Sequence, residues 1–304
     1  MTREALDLTT ALRPRLPSPL QPVEDERFSR HGIQLLLKRD DLIHPDLPGN
    51  KWRKLAPNLQ AAAGRPLLTF GGAYSNHLRA TAAAGRLLGF ETIGVVRGDE
   101  LASRPLNPSL SQCAADGMRL VFVSRSLYRR KSEPDALVAI LDVVGEPGDI
   151  YVVPEGGSNA IAARGCTALG RELKGQADVV AVACGTGGTL AGLAAGLRPD
   201  QRAIGFPVLK GGFLGEEIRT LQRQAFGAPA GDWSLDERFH FGGYARTTPE
   251  LTAFADDFEA RHDLPVERFY VAKMLYGLTS LVTEGAFPRG TDLVAVITGQ
   301  DSSR

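Results

Sequence analysis

The sequence predicts an α/β protein whose sheet strands run mostly parallel and are covered by helices. From about residue 66 onwards, short apolar segments alternate with longer segments of helical pattern. At several junctions a glycine-rich turn connects an apolar segment to the next helix. Strands joined through helices form right-handed crossovers, which place them parallel in a sheet with two buried faces.

The predicted elements follow one another in a regular order. The strands are short apolar runs: LLTF at 67–70, TIGVVRG at 92–98, RLVFVS at 119–124, DIYVV at 149–153, DVVAVAC at 178–184, RAIGFPVL at 202–209 and LVAVIT at 293–298. The helices between them are rich in alanine and leucine: 77–89, 108–117, 134–145, 158–175 and 186–197. Pro108 and Gly117 are typical first and last residues of a helix. The first 50 residues are rich in proline and predict an irregular start.

Composition excludes several classes of function. The chain has 304 residues, 43% of them hydrophobic and 23% charged, with a formal net charge of zero. Nucleic acids and anionic membranes are bound by proteins with a basic excess, so we expect neither partner. Three scattered cysteines without a CxxC spacing predict no disulfide framework and no metal site. No leader peptide is recognisable and no apolar run reaches roughly 18 residues, so we expect a cytoplasmic protein.

The segment GNKWRKL at 49–55 contains two lysines, Lys51 and Lys54, after a Gly-Asn pair. A lysine attacks a carbonyl only when it is neutral and held in a partly desolvated pocket. Gly49 and Asn50 tolerate the tight backbone from which such a side chain could project. Taken alone, the segment is more typical of a solvated basic turn that opens a helix.

Two glycine-rich turns change this interpretation. CGTGGTLAG at 184–192 lies between a strand and a helix, where backbone N–H groups and the helix dipole favour an anion. Its spacing is not that of a dinucleotide fingerprint or a P-loop, so a single phosphate group fits better. GGAYSNH at 71–77 has the same setting, although Ser75 also fits a plain helix cap and His77 a packing residue.

Other motifs favour structural roles. PEGGSN at 154–159 forms a third turn, in which Glu155 suits the start of a helix on electrostatic grounds alone. The cluster of Asp40, Asp41, His44 and Asp46 is the only group with metal-ligand character, and we interpret it as a loop leading to Lys51. No G-x-S-x-G elbow supports a serine hydrolase.

In their order along the chain, GNKWRKL, GGAYSNH, PEGGSN and CGTGGTLAG closely resemble the fold-type-II pyridoxal-phosphate enzymes. The strings KRDDL, GNKWRKL and SNHLRA are similar to the branch of aminocyclopropane-carboxylate deaminase and D-cysteine desulfhydrase. The resemblance covers about residues 35–299. It implies two open, mostly parallel twisted sheets flanked by helices, as in tryptophan synthase β. It also implies a larger cofactor-binding domain (1–55 and 156–304) and a smaller inserted α/β domain (56–155).

The resemblance implies a site for pyridoxal 5'-phosphate. Lys51 would hold the cofactor covalently, with Lys54 adding positive charge. Asn76 would bind the ring hydroxyl, and Ser75 would lie over the substrate carboxylate or act on a substrate proton. The cofactor phosphate would be held by the second turn: Gly185, Thr186, Gly187, Gly188 and Thr189.

Four further positions are assigned by the same resemblance. Tyr270 is similar to the aromatic residue that stacks near the ring, and Tyr244 to the tyrosine on the substrate side, with Tyr276 a further candidate. Thr298 resembles the hydroxyl that faces the pyridine nitrogen in desulfhydrases. Val271 matches neither branch, and His77 replaces a glutamine that is common in the SNH turn.

The implied activity is an α,β-elimination on a small amino acid by a homodimeric lyase or deaminase. D-cysteine is the leading substrate, giving pyruvate, sulfide and ammonia. Three alternatives stay open: an aminocyclopropane-carboxylate deaminase that gives 2-oxobutyrate and ammonia, a serine- or threonine-type dehydratase, and a protein that binds the cofactor with little turnover.

Overall fold

The computed structural model describes residues 7–145 and 148–299, and these form two compact units. The smaller unit comprises residues 7–13 and the described part of Leu55–Ser158; the larger comprises Pro14–Lys54 and 159–299. Residues 7–13 therefore group with the smaller unit, whereas the resemblance implies that they belong to the larger domain. The division into a cofactor-binding domain and an inserted domain stays a prediction.

The regular elements are ten strands and twelve α-helices in the described part of the chain. The strands are β1 Leu20–Val23, β2 Gln34–Lys38, β3 Leu67–Gly71, β4 Thr92–Arg97, β5 Arg119–Val123, β6 Tyr151–Val153, β7 Val179–Cys184, β8 Arg202–Pro207, β9 Asp232–Leu235 and β10 Asp292–Val296. The helices are α1 Leu8–Leu12, α2 Glu26–Ser29, α3 Asn50–Ala62, α4 Asn76–Leu88, α5 Pro108–Ala115, α6 Arg125–Arg129, α7 Pro134–Val144, α8 Ala160–Glu172, α9 Gly188–Gly196, α10 Leu214–Phe226, α11 Pro249–His262 and α12 Val271–Thr283. Short 3₁₀ turns lie at Asp40–Leu42, Asp99–Leu101, Glu155–Gly157 and Glu237–Phe239.

The larger unit contains a six-stranded sheet in the order β1-β2-β10-β7-β8-β9. All neighbours are parallel except the edge pair β1 and β2. The prediction of an irregular start was wrong here, because β2 is a well-buried strand that pairs with β10 in the register Leu35 to Leu293. Two partners so far apart in the chain leave no local pattern in the sequence.

Strand β7 shows why this sheet is covered on both faces. All six of its residues are buried. Val179, Ala181 and Ala183 face one apolar cluster, which is shared with α11 and α12. Val180, Val182 and Cys184 face the other, which is shared with α9 and α10. The two-residue period of a strand thus puts apolar side chains into two separate cores.

The smaller unit contains a parallel four-stranded sheet in the order β5-β4-β3-β6. One apolar cluster lies under α6 and α7, and another under α4 and α5. The turn GGAYSNH follows β3 and leads into α4, as predicted. Among the described residues, none of the helices is both long enough and apolar enough to cross a bilayer.

Parallel strands end at the same edge of their sheet, and the glycine turn and Thr298 are found there in the larger unit. The turn at Gly185 follows β7, and Thr298 follows the neighbouring strand β10. Open α/β sheets bind ligands at this carboxyl edge of the strands.

Candidate active site

The start of helix α3 is packed directly against the segment that follows β10. Gly49 has a φ of +63°, and a Cβ on it would lie 1.8 Å from the carbonyl oxygen of Thr298. The Gly49 N–H donates to the carbonyl of Asp40 at 2.9 Å. Only glycine fits such a left-handed, closely packed position. Lys51 therefore follows a turn whose backbone is fixed on two sides.

The Lys51 amine lies in surroundings that favour its neutral form. Its side chain is half-buried. Burial, followed by the charge of Lys54, lowers the pKa of Lys51 from 10.5 to about 7. Burial also lowers the pKa of Lys54, one turn further along α3. A neutral amine is the form of lysine that attacks a carbonyl, so this site supplies a nucleophile near neutral pH.

We expect the rate of covalent attachment of pyridoxal phosphate to the apoprotein to rise from pH 6 to 7 and to level off above pH 8. The rise follows from the lowered pKa of Lys51, because nearly all of the amine is neutral one pH unit above a pKa of about 7. An unperturbed lysine would give a rise that continues to about pH 10. The measurement is the attachment rate at saturating cofactor, followed by borohydride reduction and mass spectrometry.

A matched variant separates the two causes of the shift. Lys54→Met removes the neighbouring charge but keeps a long apolar side chain, so the midpoint of the profile should move upwards. The exposed Lys174 offers the control, because Lys174→Met should leave the midpoint unchanged. A rise without a plateau in the wild-type protein would contradict the assignment.

The second glycine turn connects β7 to α9 and presents backbone N–H groups at the helix start. Gly187 stands at the N-cap with a φ of +74°, and it has no side chain to cap α9. The Asn50 Nδ2 donates to Thr189 Oγ1 at 3.0 Å. This hydrogen bond ties the start of α3 to the start of α9. The predicted lysine and the predicted phosphate cradle thus come together in the larger unit.

Two glycines of this turn have different neighbours. A Cβ on Gly187 would lie 2.4 Å from Cγ1 of Ile218, in the core beneath the turn. A side chain at Gly187 would therefore point into α10, and it would also strain a backbone with a φ of +74°. A Cβ on Gly185 would lie 3.2 Å from the ring of Tyr270. It is Gly185 that lets an aromatic ring approach the turn.

Tyr244 and Tyr270, both predicted from the resemblance, contact each other. Their rings lie edge to face with centroids 5.8 Å apart. The backbone of Tyr270 is held by Glu267, whose carboxylate accepts from the N–H groups of Phe269, Tyr270 and Val271. Tyr276 belongs instead to an aromatic cluster with Phe239, Phe241 and Phe254.

Ser75, Asn76 and His77 lie in the smaller unit, at the start of α4. Ser75 is the N-cap, and its Oγ accepts from the N–H of Leu78 at 3.3 Å. Asn76 is exposed. The plain capping role considered for Ser75 is therefore observed, while the assignment of Ser75 and Asn76 to substrate and cofactor stays a prediction.

His77 is buried and links helix α4 to strand β3. The Thr69 hydroxyl donates its single proton to the carbonyl of Val153 at 2.8 Å. It must therefore accept at its 2.8 Å contact with His77 Nε2, which fixes the proton of the ring on that nitrogen. This geometry supports the packing role that the sequence favoured for His77.

The acidic loop before Lys51 is structural. Asp40 accepts two hydrogen bonds from the Arg53 guanidinium, at 2.7 and 2.8 Å. The N–H groups of Asp46 and Leu47 donate to His44 Nδ1. In residues 7–145 and 148–299, no group of three or more His, Cys, Asp or Glu side chains is arranged to hold a metal ion.

A family model described as pyridoxal-phosphate dependent enzyme matches residues 13–299. The chain belongs to this family. Pyridoxal phosphate is therefore its cofactor. The D-cysteine desulfhydrase of Klebsiella pneumoniae (strain 342) is 27% identical, over 93% of this chain and 91% of its own length. A bifunctional D-cysteine desulfhydrase/1-aminocyclopropane-1-carboxylate deaminase of Arabidopsis thaliana is 26% identical, over 84% of this chain and 69% of its own length.

Solved structures of the family agree. A crystal structure of an ACC deaminase homologue matches with a TM-score of 0.79 and 26% identity, covering 97% of this chain and 95% of the other. A threonine deaminase of Solanum lycopersicum shares the fold, with a TM-score of 0.66 and 16% identity over 97% of this chain and 84% of the other. The predicted fold-type-II architecture is confirmed.

The residues of the larger unit fit the family's cofactor. Lys51 can supply the amine for its aldehyde, and the N–H groups of Gly185–Thr189 can hold its phosphate. Sequence reasoning missed three contacts: that of Asn50 with Thr189, that of Glu267 with the backbone of Tyr270, and that of the Lys273 Nζ with the carbonyl of Gly243, beside Tyr244. Asn50 lay inside a motif already singled out, whereas no local pattern marked the other two.

Proposed function

We propose that this enzyme is a lyase that carries out α,β-elimination on a small β-substituted amino acid, with D-cysteine as the leading substrate. With water, the reaction gives pyruvate, sulfide and ammonia in equal amounts. The observation that carries the proposal is Thr298, a hydroxyl residue at the carboxyl end of β10 whose backbone packs against Gly49. The name of the Klebsiella relative supports the same substrate, whereas the Arabidopsis relative is named for both D-cysteine and aminocyclopropane carboxylate.

Thr298 favours elimination for an electronic reason. A threonine hydroxyl can donate or accept a hydrogen bond, but it supplies no charge to stabilise a protonated pyridine nitrogen. The cofactor supplies an electron sink for the substrate Cα, and this sink is weaker when the ring nitrogen is neutral. When a thiolate leaves from Cβ, it takes away the electron pair that deprotonation leaves at Cα. A weak electron sink is then sufficient. Opening a cyclopropane offers no such leaving group.

The residues of this chain have separate tasks in that reaction. Lys51, with a pKa of about 7, can accept the Cα proton near neutral pH. The turn Gly185–Thr189 and Lys54 would hold the phosphate. Tyr270 would stack near the cofactor ring, and Tyr244 would shape the side of the site where the substrate binds. By the family resemblance, Ser75 would lie over the substrate carboxylate or act on a substrate proton, and Asn76 would bind the ring hydroxyl.

We further propose that the larger unit is the cofactor-binding domain of a cytoplasmic homodimer. The cofactor-related residues Lys51, Lys54, Gly185–Thr189, Tyr270 and Thr298 all belong to the larger unit. This grouping supports the assignment of the larger unit. The dimer and the compartment are inferred from the resemblance and from composition.

The test is a product panel with the purified protein loaded with cofactor. D-cysteine should give pyruvate and sulfide, with a kcat/KM at least about tenfold above that of aminocyclopropane carboxylate, a difference of about 1.4 kcal/mol in the barrier. L-cysteine, serine and threonine complete the panel, and Lys51→Ala is the blank. Higher efficiency on the cyclopropane substrate, measured as 2-oxobutyrate, would overturn the proposal. So would inactivity on all substrates in a protein that holds the cofactor.

A further inference from the structure

Lys273 occupies a position that is unfavourable for a lysine. It is the third residue of α12 and its side chain is fully buried. Burial removes the ammonium from water, and the positive end of the helix dipole disfavours a positive charge. A buried charge persists at such a place only where hydrogen bonds compensate it.

The compensation comes from one loop. The Lys273 Nζ donates to the carbonyl of His240 at 2.9 Å and to that of Gly243 at 2.8 Å. This loop, residues 240–246, connects the 3₁₀ turn Glu237–Phe239 to the segment before α11. Its backbone is strained at Phe241 (φ +51°) and Ala245 (φ +56°), which adopt the left-handed conformation that glycine adopts readily at Gly242 and Gly243. Conformations of this kind persist only where the surroundings impose them.

We propose that Lys273 is a positioning residue that holds loop 240–246, and through it the ring of Tyr244, against Tyr270. Tyr244 follows directly after Gly243, one of the two carbonyls that the ammonium binds. Its ring meets the ring of Tyr270. The catalytic part of the proposal rests on the proposed function, in which Tyr244 shapes the substrate side.

Both tyrosines are thus fixed by charged groups at the start of α12. Glu267 caps the helix and holds the backbone of Tyr270. Lys273 holds the loop that carries Tyr244. Burial lowers the pKa of Lys273 to about 8, and the Glu267 charge opposes this shift. Charge-assisted hydrogen bonds are stronger than neutral ones, which suits the strained loop.

Limited proteolysis tests the structural part without any assumption about activity. Arg246 is exposed at the end of the loop, so trypsin can cut after it once the loop opens. Lys273→Met removes both hydrogen bonds, and cleavage at Arg246 should become roughly 10- to 100-fold faster, the effect of losing hydrogen bonds to a charged group on the opening equilibrium. Lys273→Gln, which keeps N–H donors without the charge, should give an intermediate rate.

The control is Val282→Ala on the same helix. Val282 is buried in the core and far along α12 from the loop. This variant lowers the unfolding midpoint without touching the loop, so cleavage at Arg246 should follow only the global loss of stability. Equal cleavage rates in Lys273→Met and Val282→Ala at equal unfolding midpoints would overturn the proposal. If Lys273→Met does not fold, the same comparison is made with Lys273→Gln.

A double-mutant cycle with Tyr244→Ala tests the catalytic part. In the holoenzyme, Lys273→Met should lower kcat/KM for the best amino-acid substrate about tenfold, while it should add less than about twofold in the Tyr244→Ala background. Additive effects would show that Lys273 does not act through Tyr244. Absence of any turnover in the wild-type protein would reject the proposed function. The proteolysis result would still support or reject the role of Lys273 in holding loop 240–246.

Discussion

Lys51→Ala is expected to abolish turnover and the covalent attachment of the cofactor. The variant removes the amine whose pKa burial lowers to about 7, so that a large fraction of it is neutral near neutral pH. Loss of proton transfer alone costs roughly 10²- to 10⁴-fold in rate, and loss of the covalent link adds to it. The measurements are product formation from the best substrate and the visible absorbance of the cofactor on the protein.

The control for this prediction is Lys174→Ala, which removes an exposed lysine of the same unit. It should leave both measurements unchanged. The Lys51→Ala protein should still bind the cofactor non-covalently, because the turn at Gly185–Thr189 is intact. A variant that keeps a substantial part of the wild-type rate would exclude Lys51 as the reactive lysine.

Gly49→Ala is expected to be the most disruptive single-methyl substitution near the site. The new Cβ would lie 1.8 Å from the carbonyl oxygen of Thr298 and 2.5 Å from its carbonyl carbon. Both are backbone atoms and cannot move aside as a side chain would. Strain at a positive φ and overpacking each cost about 1–3 kcal/mol, so the free energy of unfolding should fall by roughly 2–6 kcal/mol. The attachment rate of the cofactor should fall as well, because Lys51 moves with the turn.

Gly290→Ala provides the matched comparison. Gly290 also has a positive φ, +87°, but no atom lies within 4 Å of its Cβ position. This variant should show the backbone strain alone, about 1–3 kcal/mol, with cofactor attachment at the wild-type rate. Chemical denaturation gives the unfolding free energies. If Gly49→Ala were no less stable than Gly290→Ala, the close packing of Gly49 on Thr298 would be refuted.

The predictable part of the fold is the part with local patterns. Each central strand is a short apolar run, and each turn into a helix carries glycine or a capping residue, so the patterns locate β3 to β8, β10 and helices α4, α5, α7, α8 and α9 within a few residues. They do not locate α6, β9 or helices α10 to α12. Strands β1 and β2 are not located either, because the proline-rich start hides them. Strand β2 exists through its pairing with β10, more than 250 residues later, and such pairing has no local signature.

The candidate site divides in the same way. Lys51 and the turn at Gly185–Thr189 were found because a motif and a spacing marked them. Their connection through Asn50 and Thr189, and the packing of Gly49 on Thr298, are tertiary contacts that follow only from the assembled sheet. Lys273 lies in an apolar segment of α12, and a single lysine in such a segment cannot be distinguished by sequence from an ordinary helix residue. Its role depends on a loop 30 residues earlier.

We propose that Lys51 carries the cofactor in this enzyme. The most direct measurement reduces the cofactor-loaded wild-type protein with borohydride, digests it and maps the modified lysine by mass spectrometry. We predict that the cofactor is found on the peptide that contains Lys51, in about one copy per chain. A cofactor found on Lys54, Lys273 or any other lysine, with Lys51 unmodified, would contradict the assignment of Lys51.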